Sequence, residues 1–286
     1  MKKEEYILRE NSDGTIVTVR NLQEEILSIM DEIHRICIKN NIDYALMAGS
    51  ALGICNYKGF IPWDDDIDVI INRKDYMRFI DALKRDLSDE FYFHCYETDK
   101  RYNVLVPQMK IRKKNTYIEE TNTLLKNRCD GNGVFVDVVI YDNVSENKFV
   151  DELYRTVIKL IMPILVILDN VGCNPVFLKN FVVRLSNFYG DNNKDSKYIS
   201  QQINIPWEKF LHEPIFLKED VYPFKLYEFE GREYYSYNKI EKIMKEWYGD
   251  NCLRKWNGEE YVENYPIEKR KVKHTRKVNL EGDNFE

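Results

Sequence analysis

Four aspartates fall between Trp63 and Ile71, and three of them, Asp64, Asp66 and Asp68, sit at alternate positions beside the apolar Ile67, Val69 and Ile71. In a strand, that alternation puts Asp66 and Asp68 on one face and the apolar side chains on the other. Carboxylates at i and i+2 on a strand stand about 6–7 Å apart, close enough to share one or two hard cations through oxygen ligands. Their mutual repulsion is costly unless a metal or protons neutralise it, so a scaffold has little reason to build the pattern. An EF-hand loop also opens D-x-D-x-D, but it needs Gly at its sixth place and Glu at its twelfth, where this chain has Val69 and Asp75. A solvated acidic turn is the plain alternative, and the apolar strand that follows at once argues against it.

A D-x-D also occurs in sugar-nucleotide glycosyltransferases, so the carboxylates alone do not fix the reaction. The discriminating stretch lies upstream. Asp43 to Ala48 reads as a short strand, Gly49-Ser50 as a tight turn, and Ala51 to Tyr57 as the beginning of a helix. Strand, Gly-Ser, helix and a second strand carrying D-x-D is the layout of the nucleotidyltransferase fold. Glycine there leaves room for backbone N–H groups to face a phosphate at a helix N-terminus, and Ser50 adds a hydroxyl donor.

The motifs extend beyond this block. G-S-A-L-G at Gly49 to Gly53 is followed by G-F-I-P-W-D-D-D-I-D-V at Gly59 to Val69 and K-I-R-K-K-N-T at Lys110 to Thr116. Then come G-V-F-V-D-V at Gly133 to Val138 with Asp142 after it, F-E-G at Phe229 to Gly231 and Y-G-D at Tyr248 to Asp250. Together they resemble the LicD family of phosphotransferases, which is itself similar to fukutin and its relatives. The first block is specific; the C-terminal ones count because their order fits. One departure stands out: the family commonly has a Pro shortly after F-E-G, where this chain has Tyr234-Tyr235-Ser236.

The resemblance implies an α/β (α+β) fold, a nucleotidyltransferase-like mixed sheet flanked by helices with a helical insertion and a C-terminal part. It implies Asp66, Asp68 and Asp137 as metal ligands and catalytic residues, the metal being Mg²⁺ or Mn²⁺, and Asp137 as the candidate base. Gly49, Ser50, Lys58, Lys110 and Arg112 would bind the nucleotide. The implied donor is CDP-choline or another CDP-alcohol, the acceptor a hydroxyl of a glycan or lipid-linked glycan (polysaccharide, teichoic acid or lipopolysaccharide), and the product CMP. Transfer of an NMP group itself onto a small molecule or protein, and a non-catalytic nucleotide-binding module, are the alternatives.

Several of these residues also carry a plainer account. Lys58 would look the same as an exposed lysine. Lys110 and Arg112 share one face if the strand Val104 to Arg112 continues that far; they would suit a diphosphate or form a solvated strand end. Asp137 interrupts the apolar run Val134 to Tyr141, and a buried Asp needs a cation or a hydrogen-bond network. Asp142 is expected to cap the turn after that strand, and Asp64 and Asp65 to play a supporting role.

The 286 residues, with 44% hydrophobic and 31% charged, suit a globular chain with a sizeable core. A net charge of −6 argues against a general nucleic-acid binder. The charged start from Met1 to Glu10 has no apolar signal region. Six scattered Cys, none in C-x-x-C, fit reduced thiols in a cytoplasmic protein, and the four His are read as structural or surface groups.

Positioning elements follow from periodicity. Asn21 with Glu24 marks a helix start, followed by apolar residues at helical spacing through Cys37. Arg73 to Leu87 forms a second helix and Phe91 to Tyr96 a strand. Three regions are expected: a catalytic core over residues 1–147, an apolar helical insertion over 148–200, and a C-terminal part over 201–286 that completes the site. In the insertion, Val157 to Leu168 is too short to span a bilayer. With Phe177 to Phe188, which carries Lys179 and Arg184 to one side, it reads as a buried helical subdomain or as an interfacial hairpin at the inner face of the membrane. The basic stretch Lys269 to Lys277 could meet anionic lipid or polymer or be a solvated tail.

Overall fold

The computed structural model describes residues 7–10, 14, 16–105, 107–121, 128–203, 214–253 and 275–282. In chain order, the first elements are β1 (Ile7–Glu10), β2 (Ile16–Thr18), α1 (Val19–Asn40), β3 (Tyr44–Leu46), α2 (Ala48–Tyr57), β4 (Asp68–Asn72) and α3 (Arg73–Asp86). Next are β5 (Phe91–Cys95), β6 (Met109–Lys113), β7 (Tyr117–Glu120), β8 (Phe135–Val144), α4 (Lys148–Asn170) and α5 (Val176–Asn192). The last are β9 (Tyr198–Gln201), β10 (Phe216–Leu217), α6 (Lys218–Val221), β11 (Lys225–Phe229), β12 (Arg232–Ser236), α7 (Ile240–Tyr248) and β13 (Thr275–Asn279).

A seven-stranded mixed sheet organises them, so the fold is of the expected α/β class. Its path runs β10-β9-β8-β4-β3, with β5-β6 joined to β8. The long strand β8 is the axis: it runs parallel to β4 along one edge, while β6 and then β9 pair antiparallel along the other. On one face Val69, Ile111 and Val138 are fully buried in the core to which α1 and α3 contribute. Because side chains alternate along a strand, the residues between them emerge on the opposite face.

Helix α1 buries Leu22, Ile26, Ile29, Met30, Ile33 and Cys37, the positions its 3.6-residue period selects. It starts earlier than Asn21, however. Thr18 is the N-cap, and Asn21 supplies the return bond of a capping box to the Thr18 N–H at 2.9 Å. The expected pairing of Asn21 with Glu24 is displaced because Asn, like Glu, carries a carbonyl that can accept from the cap.

Three further boundaries, and the placing of one pair of cations, differ from expectation. Gly49 and Ser50 lie in the first turn of α2, with the left-handed bend at Ala48 (φ 49°), so the backbone turns one residue sooner. β6 begins at Met109, since Val104 and Leu105 are drawn instead into a second apolar cluster with α4 and α5. β8 continues to Val144, which places Asp142 inside the strand. There it is buried against Gly190 and paired with Arg73 Nε at 2.5 Å, so it is no turn cap. Lys179 is buried and paired with Asp169 at 3.1 Å, whereas Arg184 is exposed.

Candidate active site

Asp68 opens β4, and its register partner on the parallel strand β8 is Asp137. Paired residues on neighbouring strands point to the same face, so the two carboxylates rise side by side from the sheet. Asp66 precedes the strand, yet the alternation continues upstream: Asp64, Asp66 and Asp68 are partly exposed while Asp65, Ile67 and Val69 are buried. The reason is that Ile67 still accepts the Asp137 N–H at 3.0 Å, which keeps the segment extended beside β8. Carboxylate oxygens of Asp64, Asp65 and Asp66 lie within 4.8 Å of one another, the group of that kind found among the described residues. An all-oxygen, acidic donor set of this kind suits a hard divalent cation.

The Gly-Ser pair stands beside this loop. A β-carbon on Gly49 would meet Asp64 Oδ2 at 2.9 Å, so the missing side chain makes room for the carboxylate at the start of α2. The Ser50 hydroxyl accepts the Asp68 N–H at 3.3 Å, tying the helix to the first residue of the strand. Lys58 is elsewhere. It is the left-handed C-cap of α2 and pairs with Glu228 at 2.7 Å, roughly 13 Å along the helix axis from Gly49 at 1.5 Å per residue.

Lys110 and Arg112 are not a solvated strand end: both are buried, Arg112 completely. Lys110 is the register partner of Asp137 on β6 and its Nζ lies 2.9 Å from Asp137 Oδ1. Glu120 on β7 receives both cations, Lys110 at 3.0 Å and Arg112 at 3.4 Å. Arg112 also donates to the Gly133 carbonyl at 2.7 Å, and the ring of Phe135 lies under both positive groups. Burial raises the Asp137 carboxyl above its ordinary range while Lys110 opposes that shift. For Glu120 burial acts the same way, but Lys110 and Arg112 outweigh it and hold the carboxyl below its usual value.

Sequence reading misses Glu120 and the strand it sits on, although a signal is present. Lys-Lys-Asn-Thr followed by Tyr-Ile is a turn leading into a strand, and Asn115 adopts the left-handed conformation such turns require (φ 56°). Thr116 fastens that turn, donating to the Lys113 carbonyl and accepting the Val134 N–H. Asp65 also has a larger part than the sequence assigns it. It is buried and accepts the backbone N–H of Thr275, the first residue of β13.

His34 and His94 both make internal contacts, His34 Nδ1 with the Tyr44 hydroxyl at 2.6 Å and His94 Nε2 with the Asp130 carbonyl at 3.0 Å. His212 and His274 lie outside the described residues, as does the part of the basic stretch over residues 269–274. The described end of that stretch is no solvated tail: Arg276 and Lys277 lie in β13 and pair with Glu119 on β7 at 3.0 and 3.4 Å. Among the described residues no helix is long and apolar enough to cross a membrane.

Residues 41–152 match the family described as LicD/FKTN/FKRP, nucleotidyltransferase domain. The chain is similar to the lipopolysaccharide cholinephosphotransferase LicD of Haemophilus influenzae, 27% identical over 264 residues that cover 82% of this chain and 91% of that protein. It also resembles an uncharacterized protein of Rickettsia typhi, 35% identical over 75 residues (25% of this chain, 24% of that one). A second, from Rickettsia prowazekii, is 26% identical over 130 residues (45% and 44%).

Proposed function

The chain belongs to the LicD family and is a transferase of phosphorus-containing groups, and from that premise we propose that it moves phosphocholine, or a related phospho-alcohol, from a CDP-linked donor to a hydroxyl of a cell-surface glycan, releasing CMP. The observation that carries this reading is the alignment of Asp68 with Asp137 on adjacent strands, with Asp66 before them and Lys110 beside them. The named activity of the Haemophilus relative favours choline and lipopolysaccharide over other alcohols and acceptors.

Asp66, Asp68 and Asp137 are the residues proposed to hold Mg²⁺, with Asp64 and Asp65 completing an acidic surround. A bound divalent ion would neutralise diphosphate charge and orient the leaving group. The remaining work falls to the chain. Lys110 and Arg112, prepositioned by Glu120, supply positive charge for the leaving nucleotide. Asp137, raised by burial, is suited to take the proton of the attacking hydroxyl. The first turn of α2 at Gly49 and Ser50 presents backbone N–H groups toward phosphate. The proposed place of action is the inner face of the membrane, with residues 1–147 as core, 148–200 as insertion and 201–286 completing the site.

The test is titration of the purified chain with CDP-choline, with and without Mg²⁺, followed by product analysis with a glycan acceptor. Metal-dependent binding that Asp66→Ala with Asp68→Ala abolishes, and CMP as the product, support the reading. Pyrophosphate released from an NTP would instead identify NMP transfer, and binding that survives the double substitution would move the site elsewhere.

A further inference from the structure

The F-E-G motif forms the tip of the β11–β12 hairpin. Phe229 and Arg232 are register partners, so Glu230 and Gly231 make a two-residue loop, and both have positive φ (51° and 71°), as a type I′ turn requires. Asn or Asp before Gly is the ordinary occupant of such a turn. A glutamate with left-handed backbone is uncommon, and a residue held in that region points to a task outside the turn. The task is visible at the segment that leads into the acidic loop. The Glu230 N–H donates to the Lys58 carbonyl at 2.8 Å, and the Phe60 N–H donates to Glu230 Oε1 at 3.1 Å. These two bonds bracket Gly59.

Gly59 completes the fit. Its φ lies outside the left-handed region, so its backbone would accept a side chain. The carboxylate excludes one, since a β-carbon there would stand 2.3 Å from Glu230 Oε1. The opening glycine of G-F-I-P-W-D-D-D and the glutamate of F-E-G are therefore two halves of one contact. Helix α1 holds both ends of the segment between them and the acids. Arg20 donates to Glu230 Oε2 at 2.7 Å. Three residues on, and so on the same helix face, the buried Gln23 donates to the Asp64 carbonyl at 2.9 Å and to the Ile61 carbonyl at 3.5 Å. Residues 61–67 belong to no helix or strand, yet three of them carry carboxylates whose oxygens lie within 4.8 Å of one another and repel. A loop under that repulsion keeps its shape only if it is held from outside.

On the reading of the acidic cluster as a divalent-cation site, we propose that Glu230 is a positioning residue for it. With Gln23 it fixes the course of residues 59–64, and through them the place at which Asp64 and Asp66 present their carboxylates. The hairpin does not need this carboxylate to stay docked. Phe229 is fully buried with its ring 5.0 Å from that of Phe60. Asp31 on α1 accepts from Arg232 Nε at 2.9 Å and from the Tyr234 hydroxyl at 2.6 Å. Loss of the Glu230 carboxylate therefore frees the loop while the hairpin remains seated.

Mn²⁺ alone is the probe, its binding to the full chain followed by loss of the free-ion electron paramagnetic resonance signal. Glu230→Ala should weaken Mn²⁺ binding by at least about tenfold, as is typical for groups that orient metal ligands, and should speed hydrogen exchange over residues 59–66. Glu230→Gln, which keeps an oxygen for the Phe60 N–H, should restore most of the affinity. Asp31→Ala, which loosens the hairpin on α1 without touching the loop, should lower the urea midpoint and leave Mn²⁺ affinity unchanged. If Glu230→Ala does not fold, Gly59→Ala carries the same test, because its β-carbon drives the carboxylate off the Phe60 N–H. Wild-type Mn²⁺ affinity in the folded Glu230→Ala or Gly59→Ala chain overturns the proposal. So does an equal loss in Asp31→Ala, which would reduce Glu230 to a stabiliser of the fold. A wild-type chain that binds no Mn²⁺, or one whose binding survives Asp66→Ala with Asp68→Ala, overturns the cation reading and the proposal with it.

Discussion

Asp65 and Thr275 are 210 positions apart in sequence, and the backbone N–H of Thr275 donates to Asp65 Oδ2 at 2.6 Å. Thr275 is in turn the register partner of Glu120, the residue that grips Lys110 and Arg112. The acidic loop and the cationic pair are therefore joined through the two-stranded ribbon of β7 and β13. This gives Asp65, the buried member of the acidic loop, a part of its own: it positions the ribbon that positions the cations.

Asp65→Ala removes the acceptor and leaves a buried amide without its partner, a loss of about 1–3 kcal/mol. Asp65→Asn keeps an acceptor oxygen and should hold most of the stability. Urea unfolding of the two variants against wild type checks this. CMP release should follow the same order, whereas Asp68→Asn should cut turnover by at least about a hundredfold with little loss of fold.

Lys110→Met leaves Asp137 and Glu120 facing each other in a buried site, and breaking such a pairing costs about 3 kcal/mol at neutral pH. The sign with pH follows from the two carboxyls. Glu120 is held below its ordinary value by the cations, so the stability it contributes is present above the unfolded carboxylate range and lost as pH falls. Removing Lys110 lets both acids protonate more readily, so the deficit of the variant should shrink between pH 7.5 and pH 5. Equal urea midpoint differences at the two pH values would contradict the network.

Burial, reinforced by the charge of Arg112, lowers His94 to about 4. An unfolded histidine titrates near 6.5, so between these values unfolding takes up a proton and stability rises with pH. Stability should fall as pH drops from about 6.5 toward 4. His94→Gln, which retains a donor for the Asp130 carbonyl, should flatten that part of the curve, as thermal melts across the range would report.

Two glycines of the motif region differ in what opposes a side chain. A β-carbon on Gly53 would stand 2.3 Å from the backbone carbonyl of Gly59, which cannot move alone. One on Gly59 would meet Glu230 Oε1 at the same distance, but that carboxylate is the end of a flexible side chain, held by the Phe60 N–H and by Arg20. Gly53→Ala should therefore cost more than Gly59→Ala, by about 1–2 kcal/mol, and Glu230→Ala should relieve only the latter in a double-mutant cycle.

Lys58→Ala separates a phosphate ligand from a surface pair. Its ammonium is bound to Glu228 on β11 at the far end of α2, so CDP-choline affinity is expected to stay within about twofold of wild type, as surface ion pairs contribute little. A tenfold loss would return Lys58 to the nucleotide site.

The sequence by itself determined what depends on local spacing. Alternation placed Asp66 and Asp68 on one side of an extended segment, helical periodicity selected the buried residues of α1 and α3, and the motif order pointed to the family. Asp137 was legible as well, because an acid in an apolar strand requires a partner. Tertiary structure alone decided the partners. That Lys110 and Arg112 are buried against Glu120 depends on β7 pairing with β13, some 155 residues later in the chain. No local pattern encodes such a pairing, because a strand edge can bond to any other edge brought beside it. The same holds for Asp142, whose burial follows from Gly190 and Arg73 meeting it from separate helices. It holds too for the α4–α5 hairpin: apolar residues occur all round both helices, and only packing decided which stripe the core would cover.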